Sequence, residues 1–122
     1  SLNYIADQFV FKNLKKIKTG YLELTDSRGA KYQFGNKNSS LKAQIIINDP
    51  SFTSKLLTKG SSGLGESYIN NEFKTNDLTS LIELSAQNIN VTYKFSGLLN
   101  ISLVNSIILL SLISLSFLSL DI

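Results

Sequence analysis

The spacing of apolar residues changes at Gly20, and this change separates a predicted helix from predicted strands. Before Gly20, apolar side chains recur at intervals of three and four residues, which is typical of an amphipathic helix. We therefore predict a helix within residues 1–18. Its apolar residues are Leu2, Ile5, Ala6, Phe9, Val10, Leu14 and Ile17.

After Gly20, apolar and polar residues alternate, which indicates β-strands. Residues 21–25 and 30–34 alternate on either side of the turn sequence Asp-Ser-Arg-Gly, so they predict a β-hairpin. Residues 41–48 alternate again and predict a third strand. Three neighbouring strands with helices before and after them predict an α+β fold, in which a small antiparallel or mixed sheet carries helices on one face.

Helical spacing returns after the third strand. Asp49 followed by Pro50, the only proline of the chain, predicts a capped helix start, and Gly60 predicts the end of that helix. A second helical segment is predicted over residues 63–69. It begins with glycines, which permit a tight entry into the helix.

A short strand and a last helix are predicted next. Phe73 stands alone among polar neighbours, a pattern that suits one half-buried strand, and Thr75 or Asn76 is the predicted cap of the helix that follows. Asp77 is predicted to be an acid of its first turn. The apolar residues of that helix are Leu78, Leu81, Ile82 and Leu84.

Composition narrows the classes of function. A chain of 122 residues with 43% hydrophobic content predicts one folded domain. The chain has no cysteine and no histidine, which excludes disulfides, thiolate nucleophiles and the commonest metal ligand. We therefore predict neither a catalytic residue nor a metal site, and we expect no catalysis from this chain alone.

Basic residues are concentrated near the end of the first helix. The net charge is +3, and the lysines within residues 12–18 form the densest basic patch. They are either cations that complement the helix dipole or a membrane-surface patch that attracts anionic headgroups. We expect no nucleic-acid partner. The four lysines are Lys12, Lys15, Lys16 and Lys18.

A glycine-rich motif precedes the Asp-Leu pair that opens the last helix. Its residues are Gly63, Leu64, Gly65, Glu66 and Tyr68. With this motif, residues 20–84 resemble the N-terminal domain of the cyclopropane-fatty-acyl-phospholipid synthases, which carry Gly-Leu-Gly-Glu-x-Tyr and an Asp-Leu pair, whereas Asn71 and Phe73 stand where the family has glycine and tryptophan. Less closely, residues 43–84 resemble the lipid-binding fold of the sterol carrier proteins.

The resemblance implies a lipid-binding domain over residues 1–96. Its partner would be a phospholipid or fatty acyl chain, and S-adenosylmethionine would belong to a separate methyltransferase domain that methylenates unsaturated acyl chains. This chain itself would hold no cofactor. The alternative is a docking or dimerisation module with no ligand. The residues expected to contact lipid or another domain are Phe52, Leu56, Leu64, Gly65, Glu66, Tyr68, Ile69 and Phe73.

Residues 97–122 form an apolar tail. No residue from 95 to 120 is charged, and 15 of the 23 residues in 98–120 are Leu, Ile, Val or Phe. That length would span a bilayer core of about 30 Å, which predicts a transmembrane helix. The alternative is a truncated or frame-shifted end. The expected location is cytoplasmic and peripheral at the inner membrane face, or membrane-anchored if the tail is a true helix.

Overall fold

The computed structural model describes residues 1–95 and 111–115, and it shows an α+β fold with a four-stranded mixed sheet, as predicted. The strands are β1 (Tyr21–Thr25), β2 (Lys31–Gly35), β3 (Lys42–Ile47) and β4 (Phe73–Thr75). The helices are α1 (Leu2–Leu14), α2 (Phe52–Lys59), α3 (Ser61–Ile69), α4 (Leu78–Gln87) and α5 (Ile89–Thr92), and a 3₁₀ turn covers Tyr93–Phe95. Residues 111–115 are helical.

The strands lie in the order β2-β1-β3-β4. The predicted hairpin is confirmed by the antiparallel pairing of β1 with β2, whereas β1 and β3 run parallel and β3 and β4 run antiparallel. Leu22 lies opposite Phe34 and Ala43, and Leu24 lies opposite Tyr32 and Ile45. Because side chains alternate between faces, this register collects the apolar residues on one face of the sheet.

Two glycines allow the connection from β2 to β3 to cross the start of β1. The carbonyl of Gly20 accepts a hydrogen bond of 2.8 Å from the amide of Asn36, and the amide of Tyr21 donates one of 2.9 Å to the carbonyl of Leu41. Gly35 has a φ of 90°, and a Cβ there would overlap the Gly20 carbonyl oxygen. Only glycine fits this crossing, which places β3 parallel to β1.

Some helix boundaries differ from those predicted. The first helix ends at Leu14, before most of the lysine patch. The helix predicted to start at Pro50 begins at Phe52, because the Asp49 carboxylate accepts hydrogen bonds of 2.9 and 2.8 Å from the amide and hydroxyl of Ser51 and forms a turn first. The helical segment predicted over residues 63–69 is α3, which begins earlier, at Ser61.

The predicted caps of the last long helix were wrong. Asp77 has extended backbone geometry and accepts a hydrogen bond of 3.2 Å from the amide of Ser80, so Asp77 itself caps α4. Thr75 accepts a hydrogen bond of 3.4 Å from the amide of Asp77, and Asn76 accepts one of 3.1 Å from the amide of Gln44 in β3. The bond to Gln44 ties the start of α4 to β3.

The predicted membrane span over residues 97–122 lies outside the described residues, apart from residues 111–115. Within the part of the chain that the structure describes, no helix is both long and apolar enough to cross a membrane.

Candidate functional site

A cavity of about 330 Å³ lies between the apolar face of the sheet and the helices. The sheet contributes Leu22 and Leu24 from β1 and Ile45 and Ile47 from β3. Each of the helices α1 to α5 contributes side chains, so these helices pack against the same face of the sheet. The volume lies at the small end of the range of about 300–1,000 Å³ for small-molecule sites, so it suits one narrow ligand.

The mouth of the cavity lies along α4 and the start of α5. Ile82 and Ile89 line the cavity but remain 55% and 62% exposed, and Ala86 between them is also exposed. In contrast, Leu81 and Leu84 of α4 turn inward and are buried. Side chains that face both the cavity and the solvent mark an opening bordered by apolar groups.

The hydroxyl groups in the cavity wall are all bonded to the protein. Thr53 donates to the Asp7 carboxylate at 2.6 Å, Ser85 donates to the Leu81 carbonyl at 2.9 Å, and Thr92 donates to the Ser85 carbonyl at 2.7 Å. None of the described residues that line the cavity is charged. A ligand inside would therefore meet a wall of hydrocarbon, which favours an alkyl chain over a polar molecule.

Three of the predicted lipid-contact residues line this cavity. They are Phe52 and Leu56 of α2 and Leu64 of α3. Phe73 is 1% exposed and lies beside them, with its ring 5.0 Å from the ring of Phe52 and 5.7 Å from that of Tyr68, but it does not line the cavity. Phe73 therefore supports the cavity wall from β4.

The other predicted contact residues lie on the outer side of α3. Glu66 pairs with Lys59 at 3.0 Å, and both side chains are more than half exposed. Tyr68 and Ile69 are 43% and 78% exposed, and a Cβ at Gly65 would meet open space. The structure therefore does not bring these four residues to the cavity.

The apolar residues of the first helix divide between two surfaces. Those of the inner surface are buried, and Val10, Leu14 and Ile17 among them line the cavity. Leu2, Ile5 and Phe9 are exposed on the outside. All four lysines of the predicted membrane-surface patch are also exposed.

Sequence reasoning missed a charged cluster that joins α2, α3 and β4. The Lys55 ammonium lies 2.9 Å from the Glu72 carboxylate and 3.4 Å from that of Asp49, and the hydroxyl of Ser67 donates to Glu72 at 3.0 Å. The hydrogen bond from Lys55 lowers the pKa of Glu72, while the amide of Ser51 lowers the pKa of Asp49. No local spacing in the sequence brings these residues together.

The cluster fastens the elements around the cavity without lining it. Ser67 is 1% exposed, and the backbone of Glu72 accepts hydrogen bonds from the amides of Asn48 and Asp49. The bond with Glu72 also raises the pKa of Lys55, so this cation stays charged. Among the described residues no group of three metal-ligating side chains comes together.

Asn88 was also missed, and it fixes the end of α4 beside the mouth. Its side-chain oxygen accepts hydrogen bonds of 3.2 Å from the amides of Lys18 and Thr19. Its side-chain nitrogen donates to the carbonyls of Thr19 and Leu84 at 2.7 and 2.8 Å. One buried amide therefore joins the α1–β1 connection to the helices that border the cavity.

Comparison of the chain with protein-family models, with curated proteins and with solved structures finds no match.

Proposed function

We propose that the protein binds one acyl chain of a membrane lipid in the cavity between its sheet and its helices. The observation that carries this proposal is the apolar wall, in which Thr53, Ser85 and Thr92 direct their hydroxyls to protein acceptors. Transfer of alkyl groups from water into such a wall gains about 0.8 kcal/mol for each buried methylene. A single chain also suits the small volume better than a whole phospholipid.

The proposal extends to the resemblance described above. We propose that the chain is related to the N-terminal domain of the cyclopropane-fatty-acyl-phospholipid synthases and shares a sterol-carrier-like fold. The motif residues 63–68 and the placement of the helices over one sheet face support this relation. The chain would then hold the acyl substrate, and a separate methyltransferase domain with S-adenosylmethionine would modify it.

The proposed location is the inner face of a membrane, where the lysines near the end of α1 attract anionic headgroups. Lys12, Lys15, Lys16 and Lys18 are exposed and lie within seven residues of one another. Each basic residue near an anionic surface adds about 1 kcal/mol of attraction. The patch would keep the domain close to its lipid source.

A second candidate function is docking to another domain or to a second copy of the chain. The observation that favours it is the exposure of Tyr68 and Ile69 on α3, next to the charged pair of Glu66 and Lys59. An apolar patch with charged neighbours suits a protein contact. If docking is the function, the cavity would hold no ligand.

Native mass spectrometry of the full chain, purified without detergent, tests the acyl-chain proposal. We expect one acyl lipid per protein molecule, identified after extraction, and we expect the lipid-free protein to raise the fluorescence of added cis-parinaric acid. A protein that retains no lipid and leaves this fluorescence unchanged would overturn the proposal. A dimer that dissociates when Ile69 is replaced by Asn would then support docking.

A further inference from the structure

The outer surface of α1 carries a continuous stripe that begins apolar and ends basic. Leu2, Ile5 and Phe9 are 71%, 64% and 37% exposed, and Lys12 continues the same spacing of four and three residues. Lys16 is exposed in the turn that directly follows the helix. Residues at these intervals share one side of a helix. We call these five residues the α1 stripe.

Contacts on the opposite side of α1 hold the stripe outward. Asp7 accepts a hydrogen bond from Thr53 of α2, and the ring of Phe11 lies 4.8 Å from the ring of Tyr32 in β2. Because these contacts fix the rotation of α1 about its own axis, the stripe stays on the surface.

The charged residues that follow Asp7 in α1 and in its connection to β1 are all basic. No acidic residue occurs in the sequence between Asp7 and Glu23, and Asp7 is bonded to Thr53 on the inner side. Lys15 and Lys18 add two more exposed cations beside the stripe. An apolar helical surface with lysines at one end complements a bilayer of anionic lipids, whose headgroups accept the ammonium groups above the acyl region.

We propose that the α1 stripe inserts into the surface of an anionic bilayer, with Leu2, Ile5 and Phe9 among the acyl chains and the lysines at the phosphates. This inference rests on the proposed membrane association and names the surface that makes it. Contact between two copies through the stripe is less favourable. A symmetric dimer would place lysines either against lysines or against the apolar half of the partner.

Vesicle flotation of the full chain and its variants tests the proposal. With vesicles of equimolar phosphatidylglycerol and phosphatidylcholine, we expect the double variant Leu2→Gln/Ile5→Gln to bind at least about 20-fold more weakly. The variant Lys12→Gln/Lys16→Gln should bind these vesicles about fivefold more weakly for each lysine removed. The matched control Lys42→Gln/Lys74→Gln removes two exposed lysines from the face of the sheet opposite the helices and should bind like the unmodified chain.

A tryptophan reporter measures insertion directly, because the chain has no tryptophan of its own. With Ile5→Trp, vesicles should shift the emission to the blue, and lipids brominated on the acyl chain should quench it. With Gln33→Trp, on the exposed face of the sheet opposite the helices, neither change should occur.

Two results would overturn the proposal. They are vesicle binding unchanged by Leu2→Gln/Ile5→Gln, whether or not this variant loses a dimer, and no vesicle binding by the unmodified chain. Each leaves the acyl-chain proposal open to its own test, since retained lipid and cis-parinaric acid fluorescence report on the cavity. Conversely, if the stripe inserts into vesicles but the cavity holds no lipid, only the acyl-chain proposal is overturned.

Discussion

The hydroxyl of Thr53 donates a hydrogen bond of 2.6 Å to the carboxylate of Asp7, which joins α2 to α1 beside the cavity. Thr53 is 1% exposed and lines the cavity, so this bond turns its polar atom away from a ligand. One contact therefore both holds two helices together and keeps the wall apolar.

Replacing Thr53 by Val should destabilise the protein by about 1–3 kcal/mol, because the valine keeps the shape but removes the donor to a carboxylate. Urea unfolding followed by circular dichroism measures the loss. Thr58→Val is the matched control: Thr58 is exposed on the same helix and donates only to backbone carbonyls of that helix. The control should change stability by less than about 0.5 kcal/mol, and equal losses in both variants would contradict the assigned role of the Asp7 bond.

Replacing Ala86 by Trp should block the cavity mouth. Ala86 is exposed and lines the opening, so a large side chain there can cover the entrance without entering the packed interior. We expect about tenfold weaker binding of cis-parinaric acid, equivalent to about 1.4 kcal/mol, and less retained lipid. Gln87→Trp places the same side chain one residue later, outside the lining, and should bind like the unmodified chain.

The charged cluster predicts how stability depends on pH. The hydrogen bond from Lys55 lowers the pKa of Glu72 from its ordinary 4.5, and the amide of Ser51 lowers the pKa of Asp49 from 3.8. An acid with a lower pKa in the folded state stabilises the fold above its unfolded pKa, and this contribution disappears as the pH falls through the folded pKa. The urea midpoint should therefore fall below about pH 5.

Glu72→Gln should make that acid-induced fall shallower, since the variant has lost one of three lowered pKa values among the described residues. The third is the pKa of Asp77, which the hydroxyl of Ser80 lowers. The comparison is Glu66→Gln, which removes a carboxylate that is 58% exposed and paired with an exposed lysine. Its urea midpoint should follow the pH dependence of the unmodified chain. If Glu66→Gln flattened the curve and Glu72→Gln did not, the cluster would not be the source of the acid sensitivity.

The two glycines of the Gly-Leu-Gly-Glu motif should respond differently to alanine. At Gly63 a Cβ would lie 2.8 Å from the Lys55 carbonyl oxygen and 2.8 Å from the Lys59 Cβ, whereas at Gly65 it would meet nothing. We expect Gly63→Ala to cost about 1–3 kcal/mol through overpacking of α2 against α3. Gly65→Ala should stabilise the helix by up to about 1 kcal/mol. Thermal unfolding of both variants measures the contrast.

The sequence predicted most of the elements because their signals are local. Alternation over 21–34 predicted the hairpin, and the isolated Phe73 predicted β4. The sequence predicted an antiparallel or mixed sheet and did not decide between the two. The parallel pairing of β1 with β3 depends on the close contact of Gly35 with the Gly20 carbonyl rather than on local spacing. The cap at Asp77 was misassigned, since three neighbouring polar residues could all serve.

The site could be predicted only in part. Helical spacing put Phe52 and Leu56 on one face of the predicted helix, and the resemblance added Leu64. All three line the cavity. The outward position of Tyr68 depends on how α3 packs over Phe73, which periodicity alone cannot settle. Likewise, the hydrogen bonds of Asn88 with Lys18 and Thr19 link distant parts of the chain, so no local pattern in either segment predicts them.

The bonds between Asn88 and the α1–β1 connection also bear on how the chain is made. Asn88 and Lys18 are 70 residues apart in sequence. During synthesis, α1 to α3 leave the ribosome before α4, so the apolar sheet face of the nascent chain is only partly covered until Asn88 has emerged. The cavity proposed to hold an acyl chain is thus completed last, and polypeptides interrupted before residue 88 would expose its apolar side chains to chaperones and to one another.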